Sequence, residues 1–157
     1  MKMLIISDIH GNLEMLYRVA KQHSDADGVI FLGDGFSEIE RFAQEYPHWS
    51  LHTVCGNCDY PEQFPTERVL TLGEHKIFFT HGHSYGVKAG TKGLIRRAKE
   101  EGASVVLFGH THSPLHMKEE GVVLFNPGTL SFSNPHYGIL TEQNGELTLE
   151  SLSAESV

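Results

Sequence analysis

The sequence predicts an α/β fold of two packed, mixed β-sheets with helices outside, built as one domain over residues 1–157. Three observations carry that expectation. Short β-branched apolar runs alternate with amphipathic segments in the first third of the chain. Hairpin patterns become frequent in the later half, and no linker, repeat or low-complexity stretch divides the chain. Strands linked by helices pair in parallel, because the crossover returns the chain to the same end of the sheet. Strands joined by a tight turn pair antiparallel.

The elements follow in order. Residues 2–7 read as a buried strand, and Asn12 is placed to cap a helix over 13–23 whose Leu13, Leu16, Tyr17 and Ala20 share one face. Residues 28–32 form a second buried strand. A short helix begins near Ser37, with Glu40 set for a capping box, and residues 51–55 make a third strand. Residues 68–72 and 76–80 flank Gly73-Glu74-His75 as a hairpin. Thr91 caps a helix to about residue 101, with Leu94, Ile95 and Ala98 inward, and residues 104–108 form another buried strand. Residues 115–118 and 122–125 flank Glu119-Glu120-Gly121, while 137–141 pairs with 146–152 across Asn144-Gly145. Phe31, Phe78, Phe79 and Phe108 lie in strand runs and are assigned to the core.

A formal net charge of -8 argues against a long nucleic-acid footprint, which needs a basic face. A phosphate-bearing small substrate stays compatible, because two divalent ions would bring about four positive charges. Residues 1–7 are too short an apolar run for a signal peptide, and no stretch reaches membrane-spanning length, so the expected location is cytoplasmic. Cys55 and Cys58 are spaced C-x-x-C, but a structural zinc site needs two more soft ligands and the chain has two cysteines in all. They are read as a strand end and a loop residue.

Five fragments stand where apolar runs stop: Asp8-Ile9-His10, Gly33-Asp34, Gly56-Asn57, His81-Gly82 and Gly109-His110-Thr111-His112. In open α/β sheets, ligands bind beyond the carboxyl ends of strands, where such loops converge. Carboxylate, amide oxygen and imidazole suit Mn²⁺, Fe²⁺, Zn²⁺, Co²⁺ or Ni²⁺, and the absence of a thiolate set argues against purely structural zinc. Two metals about 3.5–4 Å apart can hold a bridging hydroxide and clamp a phosphoryl group for in-line attack. Asp34, central in the set, is the natural bridge. Eleven histidines make any single one an unremarkable surface or core residue by default, and His23, His48, His52, His75, His116 and His136 are read that way. Glu38, Glu40, Glu45, Glu100 and Glu101 are read as solvated helix faces.

These fragments resemble the calcineurin-like metallophosphoesterase pattern D-x-H, G-D, G-N-x-[D/E], H and G-H-x-H. The short chain and its Gly56-Asn57-Cys58-Asp59 segment make it most similar to the small single-domain YfcE-like phosphodiesterases, over about residues 1–128 and including the Asn126-Pro127-Gly128 turn. The resemblance implies an α-β-β-α sandwich. It implies that Asp8, His10, Asp34 and His112 hold one divalent ion and that Asp34, Asn57, His81 and His110 hold the other, with Mn²⁺ the expected metal. It further implies hydrolysis of a small phosphodiester by a metal-bridging hydroxide, with Asp34, Asn57, Asp59 and His83 as the catalytic set. A homo-oligomer is compatible with it. The alternative is an interaction scaffold that keeps the fold without turnover, as in the retromer subunit that resembles this branch.

The chain departs from the superfamily at one position. Many members carry histidine after the motif asparagine, where this chain has Cys58, a poor general acid at neutral pH. The expected consequence is a preference for esters whose leaving groups depart without a proton. His83 is read either as a phosphate contact or as support for His81. Residues 60–65 and 84–90 are expected to shape substrate choice.

Overall fold

Alternating side chains along the first strand, β1 (Lys2–Ile6), set the layering. Leu4 and Ile6 join one apolar cluster, whereas Met3 and Ile5 join another on the opposite face. A strand apolar on both faces must be covered twice, and the fold does so with a second sheet on one side and helices on the other. The computed structural model describes residues 1–60 and 64–155. The chain continues through α1 (Leu13–Gln22), β2 (Gly28–Phe31), α2 (Phe36–Glu45), β3 (Ser50–Thr53), β4 (Glu67–Leu72) and β5 (His75–Thr80). A 3₁₀ turn (His83–Tyr85), α3 (Lys92–Glu101), β6 (Val105–Leu107), β7 (Leu115–Glu119), β8 (Val122–Asn126), β9 (His136–Gln143) and β10 (Glu146–Ser153) follow.

The strands form two five-stranded sheets, ordered β10-β9-β1-β2-β3 and β4-β5-β6-β8-β7. The helix-linked strands β1, β2 and β3 are parallel, and the hairpins β4–β5, β7–β8 and β9–β10 are antiparallel. The second sheet is also mixed, since β5, β6 and β8 run parallel. Between the sheets lie Met3, Ile5, Ile30, Ile77, Phe79, Leu107 and Phe125. Outside the first sheet, α1 and α2 cover it with Leu16, Val19, Ala20, Ile39 and Phe42. Outside the second, Leu94, Ile95 and Ala98 of α3 pack on Phe78, Val106 and Leu124. The result is the expected α-β-β-α sandwich, with Phe31, Phe78, Phe79 and Phe108 all buried in its core.

The helix caps differ from expectation. Asn12 stands at the cap position of α1, but its Nδ2 donates 2.9 Å to the Leu130 carbonyl instead. Thr91 precedes α3, yet its hydroxyl donates 3.0 Å to Glu119. Helix α2 begins at Phe36, one residue before Ser37, so Glu40 has no capping box to close. In each case a partner from elsewhere in the fold replaces the local bond.

Parallel order in both sheets brings the ends of β1, β2, β3, β5 and β6 to one edge. Backbone bonds tie the loops there: the Asp8 amide donates to Gly33 at 2.9 Å, and the Gly109 amide donates to His81 at 3.0 Å. The second bond joins the loops that follow β5 and β6.

Candidate metal centre

The backbone marks this edge before any side chain is considered. Asp8, His10, Asp34, His110 and His112 have φ of 55°, 44°, 63°, 70° and 64°. The left-handed region costs a non-glycine residue about 1–2 kcal/mol. Among the described residues the other non-glycine cases are Glu120, Asn134 and Asn144, in turns and a loop. Strain gathered on five chemistry-bearing residues points to function rather than to turn geometry.

Their side chains converge. Asp8 Oδ1 lies 3.7 Å from His10 Nε2, 3.7 Å from His81 Nε2 and 3.2 Å from His112 Nε2. Asp34 Oδ2 lies 3.2 Å from His81 Nε2 and 3.9 Å from His10 Nε2. Ligand atoms of Asp8, His10 and His112 form one group within 4.8 Å, and those of Asp34, His81 and His110 form a second. Asp34 faces both, through His10 on one side and His81 on the other. Asp8 Oδ1 and His81 Nε2 are fully buried with no hydrogen-bond partner. Such orphaned atoms are costly to bury, and an anionic oxygen facing imidazole nitrogens is what a divalent cation satisfies. The donor set therefore fits metal ions.

Surrounding groups aim these ligands. Ser7 Oγ donates 2.5 Å to Asp8 Oδ2, and the His110 amide donates 3.1 Å to the same oxygen, leaving Oδ1 for the cluster. His81 Nδ1 pairs with the Leu32 carbonyl at 2.7 Å, which fixes its tautomer and leaves the Nε2 lone pair facing inward. The Cys58 amide donates 2.8 Å to Asp34 Oδ1. Two glycines allow the approach: a Cβ on Gly56 would sit 2.1 Å from Asp34 Oδ1, and one on Gly109 would sit 2.0 Å from Ser7 Oγ. Burial opposes charge on Asp34, but His81 and the Cys58 amide outweigh it and hold the carboxyl well below its usual range. Burial likewise opposes protonation of His81, and Asp34 with Asp8 overcomes it, so the net shift is upward. His83 and His110 shift downward through burial and then through His81.

The remaining expected residues are placed less uniformly. Asn57 lies on an exposed turn, its Nδ2 3.6 Å from Cys58 Sγ, and lines a small cavity together with His83 and Thr66. Asp59 spends both carboxylate oxygens on the backbone. Oδ2 accepts from the Asp34 and Gly56 amides at 2.7 and 2.9 Å, and Oδ1 accepts from Gly35 and Phe36 at 3.0 Å each. It thus caps α2 and pins two ligand-bearing turns. His83 meets His81 ring to ring at 5.5 Å, while the hydrogen-bond partner of His81 Nδ1 is the Leu32 carbonyl. Cys58, the loop residue that stands where many members carry histidine, brings its sulfur within 4.8 Å of ligand atoms of His10 and Asp34. Glu38, read as a solvated helix residue, is half-buried and lines the cleft beside His10. Of residues 60–65, 61–63 lie outside the described residues.

Comparison with known proteins agrees with this geometry. Residues 1–145 match the model of the calcineurin-like phosphoesterase superfamily domain. The chain belongs to that superfamily. This phosphoesterase is 38% identical over 154 residues to the probable metallophosphoesterase YsnB of Bacillus subtilis, covering 95% of this chain and 89% of the relative. It is 30% identical over 186 residues to the phosphodiesterase YfcE of Escherichia coli K12, covering 100% and 95% respectively. The crystal structure of a predicted phosphoesterase from Streptococcus pneumoniae superposes with a TM-score of 0.80 at 26% identity, covering 98% of this chain and 90% of that one. The protein is accordingly a metal-dependent hydrolase of phosphoester bonds. No helix among its described residues is long and apolar enough to cross a membrane.

Proposed function

We propose that this phosphoesterase is a dinuclear, Mn²⁺-dependent phosphodiesterase acting on a small diester in the cytoplasm. The observation that carries the reading is the pair of ligand groups joined through Asp34. Asp8, His10, Asp34 and His112 would hold one ion, and Asp34, Asn57, His81 and His110 the other. When bound, two such ions supply a nucleophilic water and positive charge for the phosphoryl oxygens.

The chain's own residues do the rest. Asp34 stays anionic over the working range and can face both ions. His81, its Nδ1 paired with the Leu32 carbonyl, turns Nε2 toward Asp34 and Asp8. His83 stands 6.2 Å ring to ring from His110 and stays neutral through burial, which suits a hydrogen bond to a phosphoryl oxygen. Asp59 is a positioning residue, since its oxygens are occupied by four amides. Burial and then Asp34 push the Cys58 thiol up, so it remains protonated and a weak donor at neutral pH. Leaving groups of low pKa are therefore favoured.

Hydrolysis of bis-p-nitrophenyl phosphate with added Mn²⁺ tests the reading, with Asp34→Asn and His81→Ala as controls. Turnover that survives chelation or these substitutions would sink it. Tight metal binding without turnover would favour the scaffold alternative.

A further inference from the structure

Beside His10, Asp34 and Cys58 opens a cleft of about 250 Å³ whose far walls are Phe36, Glu38 and Tyr60. Its size is just under the roughly 300 Å³ lower bound of pockets that take a whole drug-sized ligand, so it suits one arm of a molecule whose remainder lies on the metal cluster. Backbone bonds and one ring contact position two of these walls. The Phe36 amide is bonded to Asp59, and its ring packs on Phe64 with centroids 4.9 Å apart. The Tyr60 carbonyl accepts from Cys55 Sγ at 3.0 Å, while the tyrosine, which lines the cleft, is 73% exposed. An aromatic ring left in water beside a reaction centre offers a face for stacking.

The polar chemistry of the cleft is one-sided. No lysine or arginine lines it among the described residues, whereas Glu38 presents a carboxylate, one oxygen of which accepts from Ser37 Oγ at 3.1 Å. A second phosphate on the arm would meet uncompensated negative charge. Hydroxyls would meet an acceptor, as acidic side chains receive ribose hydroxyls in dinucleotide sites. An aromatic base carried on a hydroxylated sugar satisfies both walls.

We propose that this cleft is a nucleoside subsite, in which Tyr60 and Phe36 flank the base and Glu38 accepts from the sugar, so that the substrates are diesters with one uncharged nucleoside arm. The inference rests on the phosphodiesterase reading and narrows its substrate class. Tyr60 and Glu38 are specificity residues and take no part in bond cleavage.

Three p-nitrophenyl diesters sharing one leaving group test it with Mn²⁺-loaded protein: thymidine 5′-(p-nitrophenyl phosphate), the same ester bearing a 3′-phosphate, and methyl p-nitrophenyl phosphate. Wild type should favour the first. Tyr60→Ala should raise its KM about tenfold, the worth of one lost stacking contact, while leaving the methyl ester unchanged. Tyr60→Phe should retain the preference, and Glu38→Gln should selectively speed the ester with the extra phosphate. Equal losses on the thymidine and methyl esters in Tyr60→Ala would overturn the subsite, as would a wild type that does not discriminate between them. Saturation transfer from protein to the base protons of free thymidine provides a readout independent of turnover. Transfer in wild type that disappears in Tyr60→Ala keeps the cleft even if no ester is cleaved, an outcome that defeats only the phosphodiesterase reading; its absence in wild type defeats the cleft.

Discussion

Asp59→Asn separates holding the site from performing its chemistry. The substitution keeps the shape of the side chain but leaves one acceptor oxygen where there were two. Whichever way the amide turns, its NH₂ faces two backbone donors, either those of Asp34 and Gly56 or those of Gly35 and Phe36. Each buried donor left without a partner costs about 1–3 kcal/mol. The loss of negative charge at the start of α2 adds about 0.3–1 kcal/mol. Because Asp59 is half-buried, water offsets part of this, and a net loss of about 2–4 kcal/mol follows. At about 3 °C per kcal/mol for a domain of this size, the metal-free protein should melt about 6–12 °C lower by calorimetry. Mn²⁺ affinity should fall with it, because the turns carrying Asp34 and Asn57 lose their common anchor. A variant melting within about 2 °C of wild type, yet slower on bis-p-nitrophenyl phosphate by the roughly 100-fold or more of a lost proton-transfer group, would refute this account and give Asp59 a chemical role.

Four further outcomes are expected. Saturating Mn²⁺ should stabilise the metal-free protein by about 2.7 kcal/mol per site at a hundred times its Kd, read as a rise in Tm that His81→Ala reduces. Cys58→His should speed hydrolysis of diesters with poor leaving groups, and an unchanged rate on them would remove the thiol as the limitation. Gly56→Ala drives a Cβ to within 2.1 Å of Asp34 Oδ1, so it should cost about 1–3 kcal/mol and weaken Mn²⁺ binding in a calorimetric titration. The control for that titration is Gly102→Ala, whose Cβ meets nothing within 4 Å and which should leave metal affinity unchanged, apart from the strain of its φ of 70°. Burial and then Glu67 push the Tyr85 hydroxyl up to about 12 from its ordinary 10. Its contribution to stability is therefore complete below pH 10 and disappears as the pH rises toward 12, so Tyr85→Phe should flatten the alkaline fall in Tm.

The strand and helix order was legible because hydrophobic period is a local property: Met3 and Ile5 against Leu4 and Ile6 announce a strand buried on both faces. That Asp8, His10, Asp34, His81, His110 and His112 would converge was legible for a related reason. Parallel strands deliver their carboxyl ends to one edge, so residues just beyond them meet whatever the loops between. Caps were not legible in the same way. Asn12 and Thr91 have the composition of caps, but their side chains bond Leu130 and Glu119, and local preference yields to a buried carbonyl or a neighbouring carboxylate. The positive φ values at five candidate ligand residues also leave no mark in composition, since aspartate and histidine occupy either region of backbone space.

What the sequence by itself determined was therefore which donor residues stand at strand ends and which chemistry they can support, because donor atoms and strand ends are written locally. Tertiary structure alone decided what each one does there. It turned Asp59 toward four amides, set Cys58 beside His10 and Asp34, and brought Glu38 and Tyr60 to a common cleft. Those roles depend on which partner wins a hydrogen bond or a cavity wall, and that competition is settled only when distant segments have packed together.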